Sequence, residues 1–398
     1  MECSKIKLMA LMPNTALIGA QKMCLSLLDS LCDNDLFDIE LVLLSNRSEG
    51  VSRIRMLPNF TALKKINNGV LSKLDTLISV YRLRKIILEH RPDIILSIAP
   101  IMNLLLLVSL CGLKKNRPTT IIEEHQHLTT SINNDNSSHH WVMKFFYKYL
   151  LFLYTAADVI KLVSTSSKLD FEKNWALAAN KLEVMNPPIV ISKLQELSEG
   201  ELPPNVIDFA SEEDNVVFSL GRLENQKNFC LLLEAFALAY RNNPTLKLII
   251  VGEGSQFDLL TELARQLGVS DRVLLTGFIE NPYPIFRIAK VFCLTSIWEG
   301  MPVTIMESMA LGCPVISVDC PSGPSEMIEN GINGFLVDSN ALDIAKAIAS
   351  SIEDKDNLLV MGSYCKETAH KWDISVYCTN FIDLVCRLIE KKKRDNDG

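Results

Sequence analysis

The stretch Ser296–Ile316, "SIWEGMPVTIMESMALGCPVI", runs from the end of one apolar segment into the start of another. Pro302 is typical of the first turn of a helix, and Gly312 followed by Pro314 is typical of a helix end. The stretch therefore predicts a strand, a loop, a helix and a second strand. Strands joined through a helix lie parallel in one sheet, so the stretch indicates an α/β fold.

Short apolar runs alternate with helical patterns on both sides of this stretch. The alternation predicts parallel sheets with helices on both faces. A single core seldom supports a chain of 398 residues, so two Rossmann-like domains are expected. The predicted strands are Ile6–Met12, Ile39–Leu44, Asp93–Ala99, Thr119–Glu124, Asp158–Ser164, Val216–Leu220, Leu246–Val251, Arg272–Thr276, Lys290–Ser296 and Cys313–Val318.

A polar, acidic segment that contains Pro203-Pro204 separates the two series of strands, and we predict a linker over 191–215. The first domain is then expected at 1–190 and the second at 216–371. An amphipathic pattern predicts a C-terminal helix over about 372–390, followed by a disordered end. Ligands of parallel sheets bind beyond the carboxyl ends of the strands, which predicts a ligand crevice between the two domains.

Composition excludes several classes of protein. The net charge of -7 argues against general nucleic-acid binding. Eleven cysteines without a C-x-x-C spacing predict reduced thiols in a cytosolic compartment and no zinc site. The segment 1–185 holds 22 Lys+Arg against 17 Asp+Glu. This excess suits an anionic lipid or phosphorylated acceptor, and ordinary surface variation is the alternative.

Two cations follow the strand Val216–Leu220. Gly221 permits a tight turn, and Arg222 and Lys227 then lie in the loop before a predicted helix. Cations beside a helix N-terminus form a natural diphosphate site. The alternative is a pair of solvated loop cations.

Two carboxylates lie in the opening stretch. Glu299 is predicted in the loop after a strand, and Glu307 in the helix that follows. Carboxylates are good acceptors for the hydroxyls of a sugar or a ribose. The alternatives are an exposed Glu299 and a helix-dipole role for Glu307.

Gly252 and Gly254 follow the strand Leu246–Val251 and form half of a dinucleotide-binding fingerprint. Phe257 occupies the place of the third glycine, so a nicotinamide dehydrogenase is poorly supported. A glycine pair that serves only as a turn is the alternative.

The second half resembles glycosyltransferase family 4, the retaining GT-B enzymes, of the type that builds bacterial surface polysaccharides. The resemblance is carried by Gly221-Arg222-Leu223, Lys227-Asn228, Glu299-Gly300, Glu307 and "DCPSGPSEMIENGINGFLV" (Asp319–Val337). It implies the GT-B fold, with two Rossmann-like domains facing a crevice and a C-terminal helix crossing back to the first domain.

The resemblance also implies a hexosyltransferase. A hexosyl or N-acetylhexosaminyl group would pass from a nucleotide diphosphate sugar, most often a UDP-sugar, to a glycan or lipid-linked oligosaccharide. The product would belong to O-antigen, capsule or exopolysaccharide biosynthesis. A sugar-nucleotide epimerase of the same fold and a non-catalytic sugar-nucleotide-binding protein are the alternatives.

The resemblance assigns roles to particular residues. Glu299 would hold the donor sugar, Glu307 the ribose, and Arg222 and Lys227 the diphosphate. His125, in "IIEEHQHLTTS", would lie near the reacting sugar, and His127 is its rival. The remaining donor contacts implied are Gly19, Gly221, Phe278, Ile279, Gly300, Met301, Pro302, Val303 and Thr304.

No cofactor and no metal are expected. The "DND" at Asp33–Asp35 follows a predicted helix, so we interpret it as a solvated helix end and not as a metal motif. No apolar run is long enough to predict a spanning helix. A cytoplasmic protein is expected from the cysteine usage, and association with the inner face of the cell membrane is a further expectation. Peripheral contact with an anionic membrane is expected through the aromatic and cationic segment His139–Asp158. A core helix, with Phe145 and Leu151 buried, is the alternative there.

Overall fold

The computed structural model describes residues 5–14, 19–44, 55–56, 73–113, 117–125, 127–133, 149–175, 177–211 and 213–397. The chain divides into two compact units. The first unit combines Met1–Pro188 with Ile374–Gly398, and the second is Ile189–Asp373. In the described part of the chain, no helix combines the length and the hydropathy needed to cross a bilayer.

The described part of the first unit contains a seven-stranded parallel sheet in the order β3-β2-β1-β4-β5-β6-β7. Its strands are β1 (Ile6–Met12), β2 (Phe37–Leu43), β3 (Arg55–Met56), β4 (Ile94–Ile98), β5 (Thr119–Glu124), β6 (Val159–Leu162) and β7 (Leu182–Val184). The helices between them are α1 (Ala20–Cys32), α2 (Lys73–His90), α3 (Pro100–Ser109), α4 (Leu128–Asn133) and α5 (Thr165–Trp175), and residues 149–154 are also helical.

Both faces of this sheet are covered, which explains why its strands are apolar throughout. Alternate residues of β1 enter different cores: Met9 and Leu11 pack with α2 and α3, whereas Leu8 packs with α1 and the C-terminal helix. That helix, Ile374–Asp397, buries Phe381 on the first unit. The predicted return of the C-terminal helix to the first domain is therefore confirmed.

The second unit contains a six-stranded parallel sheet in the order β10-β9-β8-β11-β12-β13. Its strands are β8 (Asn215–Leu220), β9 (Leu246–Val251), β10 (Val273–Leu275), β11 (Ala289–Leu294), β12 (Val315–Val318) and β13 (Gly334–Val337). Its helices are α6 (Ile191–Ser198), α7 (Pro204–Phe209), α8 (Phe229–Tyr240), α9 (Phe257–Gln266), α10 (Val303–Ala310), α11 (Pro324–Met327), α12 (Ala341–Glu353) and α13 (Lys355–Ala369). The two sheets confirm the predicted α/β fold with two Rossmann-like units.

Two predicted boundaries are corrected. The segment 191–215, predicted as a linker, forms α6, α7 and the start of β8 within the second unit. Leu194 is buried on α6, and Pro204 occupies the first turn of α7, where its missing N–H costs nothing. The C-terminal helix continues to Asp397, beyond the predicted end near residue 390, because a charged run is compatible with an exposed helical turn.

Candidate active site

The loop after β8 carries the two predicted diphosphate cations. Arg222 is exposed, and Lys227 ends a single 3₁₀ turn that is followed by Asn228 in the left-handed conformation at φ 50°. The Thr295 hydroxyl donates to the carbonyls of Lys227 and Asn228, each at 3.1 Å. Because Thr295 directly follows β11, the end of one strand fixes the shape of the loop after its neighbour.

Two further hydrogen bonds join this loop to the loop after β11. The Gln226 side-chain amide donates to the Trp298 carbonyl at 2.9 Å. The Ile297 backbone N–H donates to the Gln226 carbonyl at 2.8 Å. Since β8 and β11 are adjacent and parallel, their carboxyl ends bring Lys227 and Glu299 to the same edge of the sheet.

Glu299 is only 7% exposed, so the alternative of an exposed side chain is wrong. Two donors converge on its Oε1 atom: Lys227 Nζ at 2.6 Å and the Ser296 hydroxyl at 2.6 Å. A buried carboxylate needs such partners. The predicted sugar-binding acid and a predicted diphosphate cation therefore form one ion pair, in which the acid is buried and the lysine partly buried.

The sequence motif at Asp319–Val337 supports the loop that contains Gly300 and Pro302. The Ser322 hydroxyl donates to the Gly300 carbonyl at 2.6 Å. Gly323 has φ 103°, and a Cβ atom there would lie 2.4 Å from Cδ of Pro302. This part of the motif is therefore a packing element beneath the loop.

The helix α10 carries the remaining residues of this loop and the second acid. Pro302 is the N-cap of α10, one residue earlier than the predicted first turn, and Met301 is buried before it. Val303 and Thr304 begin the helix, and the buried Thr304 hydroxyl has no hydrogen-bond partner in the described structure. Glu307, one helical turn further on, shares the face of Thr304.

Glu307 accepts a hydrogen bond from the phenol of Tyr283, with 2.8 Å between Tyr283 Oη and Glu307 Oε1. Burial, together with the negative charge of Glu307, raises the pKa of Tyr283 well above its usual value. The phenol therefore stays protonated and donates. The sequence identified Glu307 but not Tyr283 or Ser322, because no local pattern marks a side chain that acts through a tertiary contact.

Gly252 and Gly254 make room for the loop after β8. A Cβ atom at Gly252 would lie 1.8 Å from the carbonyl oxygen of Gly221, and one at Gly254 would lie 2.3 Å from that of Leu223. Gly252 also has φ 149°. The pair thus has a packing role beside the candidate diphosphate loop.

Phe278 and Ile279 follow β10, which β9 separates from β8. The Gly252 N–H donates to the Gly277 carbonyl at 3.0 Å and ties this segment to the end of β9. The Phe278 ring is 70% exposed. A contact of these two residues with a nucleotide base stays a prediction.

The other two predicted site residues belong to the first unit. Gly19 is the N-cap of α1 and has φ 58°, a conformation that favours glycine. His125 follows β5, and its Nε2 lies 2.9 Å from Oε2 of Glu123. Their approach to a donor sugar stays a prediction.

Glu123 links His125 to a buried cation. Its carboxylate also pairs with Lys161, which in turn contacts the phenol of Tyr377 on the C-terminal helix. Burial alone would raise the pKa of Glu123, but Lys161 and His125 outweigh it and hold that pKa at about 2. His127 is bound differently, with Nδ1 2.9 Å from the Thr130 hydroxyl.

The neighbouring carboxyl group, Glu124, lies on the opposite side of the strand in a neutral environment. Burial raises its pKa to about 7, although the Tyr154 phenol donates to its Oε1 at 2.6 Å. Asn103 donates to Tyr154 Oη at 2.9 Å. The group is therefore a mixture of protonated and ionised forms near neutral pH.

Asp33–Asp35 directly follow α1, as the sequence predicts. Among the side chains that the structure describes, no three His, Cys, Asp or Glu residues lie together as a metal site would require. Independence from metal stays a prediction.

Comparison with known proteins shows which solved structures and which sequence family this chain resembles. The crystal structure of Anabaena HepE in complex with UDP superposes with a TM-score of 0.76 over 96% of this chain and 100% of that chain, at 19% identity. Residues 207–370, which contain the paired cations and acids, match the family model for glycosyl transferases group 1. The chain therefore has the GT-B fold, and its second unit is similar to glycosyl transferases group 1. The predicted family resemblance is thereby confirmed at the level of the GT-B group.

Two curated relatives of this chain are informative. An uncharacterized glycosyltransferase of Methanocaldococcus jannaschii is 30% identical over 280 residues, or 67% of this chain and 65% of the relative. The N-acetylgalactosamine-N,N'-diacetylbacillosaminyl-diphospho-undecaprenol 4-alpha-N-acetylgalactosaminyltransferase of Campylobacter jejuni is 30% identical over 203 residues, or 51% of this chain and 53% of the relative. The matched regions thus span between half and two thirds of these relatives' length.

Proposed function

We propose that this chain transfers a hexosyl or N-acetylhexosaminyl group from a nucleotide diphosphate sugar to a glycan or lipid-linked oligosaccharide of a bacterial surface polysaccharide. The observation that carries the proposal is the ion pair between Lys227 and Glu299, which couples a phosphate-binding cation to a sugar-binding acid. The Campylobacter relative, whose name describes a diphospho-undecaprenol substrate, supports the acceptor class.

Each residue has a distinct task in the proposed reaction. Arg222 and Lys227 stabilise the negative charge that builds on the departing diphosphate. Glu299 accepts hydrogen bonds from hydroxyl groups of the donor sugar and keeps the reacting carbon of the sugar beside that diphosphate. Glu307 accepts hydrogen bonds from the ribose hydroxyls at the other end of the donor. His125 lies near the reacting sugar.

We propose that the anomeric configuration is retained. The bond from C1 to the phosphate oxygen breaks, a bond from C1 to the acceptor oxygen forms on the same face, and the departing phosphate takes the acceptor proton. The carboxylates Glu299 and Glu307 serve opposite ends of the donor, so neither is assigned as a nucleophile. No metal is required in this scheme, because the two cations supply the positive charge.

The proposed donor is a UDP-sugar. The Anabaena structure, which holds UDP, supports this choice. The segment of Phe278 and Ile279 is the proposed edge of the base site.

We place the enzyme in the cytoplasm, at the inner face of the cell membrane. Tyr149 and Phe152 are exposed aromatic side chains at the described end of the segment His139–Asp158, and they suit an interfacial contact. Leu151 beside them is buried, as the core alternative predicts. The other residues that carry this prediction, including Lys144 and Phe145, lie outside the described residues. Flotation with anionic liposomes at low salt tests the contact, and its absence there would contradict it.

The decisive experiment begins with donor binding. UDP-, GDP- and ADP-sugars are screened by thermal shift and by saturation binding, with Glu307→Ala and Lys227→Ala as site variants. The exposed Lys346→Ala, on α12, is a matched charge control. We expect one nucleotide series to stabilise the wild type and the Lys346→Ala control, and to lose its effect in both site variants.

Product analysis then separates the candidate functions. Transfer to a lipid-linked oligosaccharide, with retention followed by the NMR coupling of the anomeric proton, is the expected result. An inverted linkage would contradict retention alone. A changed sugar on the nucleotide would identify an epimerase, and binding without any product would identify a non-catalytic binding protein.

A further inference from the structure

Tyr283 lies in a short 3₁₀ turn, Tyr283–Arg287, that ends just before β11. Its ring is buried and stacks on Phe286, with ring centroids 6.5 Å apart and planes at 17°. Phe286 packs edge-on against Phe218 of β8, with centroids 4.8 Å apart. The ring therefore belongs to the core of the second unit, and packing alone accounts for its position.

The hydroxyl group of this tyrosine needs a separate explanation. A buried phenol without a partner would be costly, and this one is satisfied by a carboxylate in place of a backbone carbonyl. Charge-assisted hydrogen bonds of this kind are strong and directional. The bond to Oε1 of Glu307 therefore restricts rotation of that carboxylate about its last torsion.

The turn that carries the phenol is itself anchored. The Tyr283 N–H donates to the side-chain oxygen of Asn281 at 3.3 Å, and the Asn281 amide donates to the Leu197 carbonyl of α6 at 2.8 Å. Arg287, at the other end of the turn, donates to the Gly200 carbonyl at 2.7 Å. Both ends of the turn are thus tied to α6 and the residues after it, so the phenol is a rigid donor.

We infer that Tyr283 is a positioning residue that orients the Glu307 carboxylate for the hydroxyls of the nucleotide ribose. The inference rests on the proposed function and adds a specificity-determining contact to the same site. A pre-oriented acceptor recognises hydroxyls without first losing rotational freedom. The bond thus contributes to ribonucleotide affinity and contributes nothing where the hydroxyls are missing.

The test uses Tyr283→Phe, which keeps the packed ring and removes only the hydroxyl. Tyr364→Phe, at an exposed tyrosine on α13, is the matched control. The probes are UDP, GDP and ADP, each measured beside its 2′,3′-dideoxy counterpart by calorimetry. For the ribonucleotide that binds the wild type most tightly, Tyr283→Phe is expected to weaken binding about five- to tenfold. The dideoxy counterpart is expected to bind both proteins equally, and the control to bind like the wild type.

A double-mutant cycle separates the loss of this contact from any general effect of Tyr283→Phe on the fold. In a Glu307→Ala background, the further change Tyr283→Phe is expected to alter ribonucleotide binding by less than about twofold, because the carboxylate that the phenol orients is already absent. In turnover, Tyr283→Phe is expected to raise the donor KM and leave kcat unchanged, since the ribose is remote from the reacting bond.

The outcomes separate this inference from the proposed function. Equal losses for the ribonucleotide and its dideoxy counterpart would overturn the inference and leave Tyr283 a packing residue. Unchanged ribonucleotide binding in Tyr283→Phe would also overturn it, with the donor site intact. Failure of every nucleoside diphosphate to bind the wild type would overturn the proposed function, and the inference with it.

Discussion

Replacing Lys227 by methionine tests whether the ion pair at the candidate site serves stability as well as donor binding. Methionine keeps most of the volume of the lysine stem but leaves the Glu299 carboxylate, 7% exposed, without its cation. Removing one partner of a buried pair costs about 3 kcal/mol or more, because the remaining charge stays desolvated. The partial exposure of Lys227 places the expected cost near 3 kcal/mol rather than above it.

That cost has a measurable size. The second unit spans Ile189–Asp373, and for a unit of this size 1 kcal/mol shifts the melting temperature by about 2–4 °C. We therefore expect Lys227→Met to lower the melting temperature of the second unit by about 6–12 °C in scanning calorimetry. Donor binding is expected to fall as well, since the proposed phosphate ligand is gone.

The double variant Lys227→Met/Glu299→Gln separates the two effects. Glutamine is neutral and still accepts from the Ser296 hydroxyl, so no buried charge remains. We expect the melting temperature to return to within about 4 °C of the wild type, while turnover stays lost. Additive losses of stability in the double variant, or a wild-type melting temperature for Lys227→Met, would refute the reasoning.

Three further outcomes are expected. Glu299→Ala should lower kcat about 100-fold, whereas Glu307→Ala should mainly raise the donor KM; equal losses confined to donor affinity in steady-state kinetics would contradict the assignment. The pKa of Glu124 is raised from its unfolded value of 4.5 to about 7, so the native state holds the proton longer and stability falls as pH rises between those values. In urea unfolding, the stability of the wild type relative to Glu124→Gln should therefore fall by about 3 kcal/mol between pH 4.5 and pH 8. A stability difference that does not change with pH would refute this. Gly323→Ala should destabilise the second unit by about 2–3 kcal/mol, because its Cβ atom would overlap Pro302, the N-cap of α10. The control Gly331→Ala should cost about 1 kcal/mol, because Gly331 has φ 81° but open space around it. Equal melting temperatures of the two variants would show that the overlap relaxes.

The strands could be predicted because the sheets are buried on both faces, which leaves continuous apolar runs in the sequence. The strands β3, β7 and β13 were missed. β3 and β7 have two and three residues, and β13, with Phe335 and Leu336 only partly buried, lies at the edge of its sheet. A short or half-exposed strand has too few residues for its pattern to differ from that of a loop.

The failed linker shows the limit of composition as evidence. Residues 191–215 are polar and contain two prolines, yet Leu194 and Val206 are buried within the second unit. One to three buried side chains are enough to dock each of these short helices, and a compositional average cannot detect them. The proline pair, interpreted as a break, instead begins a helix.

The acids and cations of the candidate site could be located because each follows a strand. Two of their partners could not, since Ser322 and Tyr283 contribute through contacts across 22 and 24 residues. Both separations depend on the crossover geometry of the sheet. Only the fold brings such pairs together.

The contact between Lys161 and Tyr377 joins residues 216 positions apart. During synthesis, the sheet of the first unit is therefore made long before the helix that covers one of its faces and completes its buried charge cluster. At about 5–20 residues per second, roughly 10–40 s separate the emergence of residue 188 from that of residue 374. The second unit lies wholly within that interval and can fold first. A ribosome that stalls before residue 374 thus releases a chain with a finished second unit and a first sheet that has α1 but lacks the C-terminal helix on one face. The apolar surface left exposed there is a substrate for chaperones and proteases.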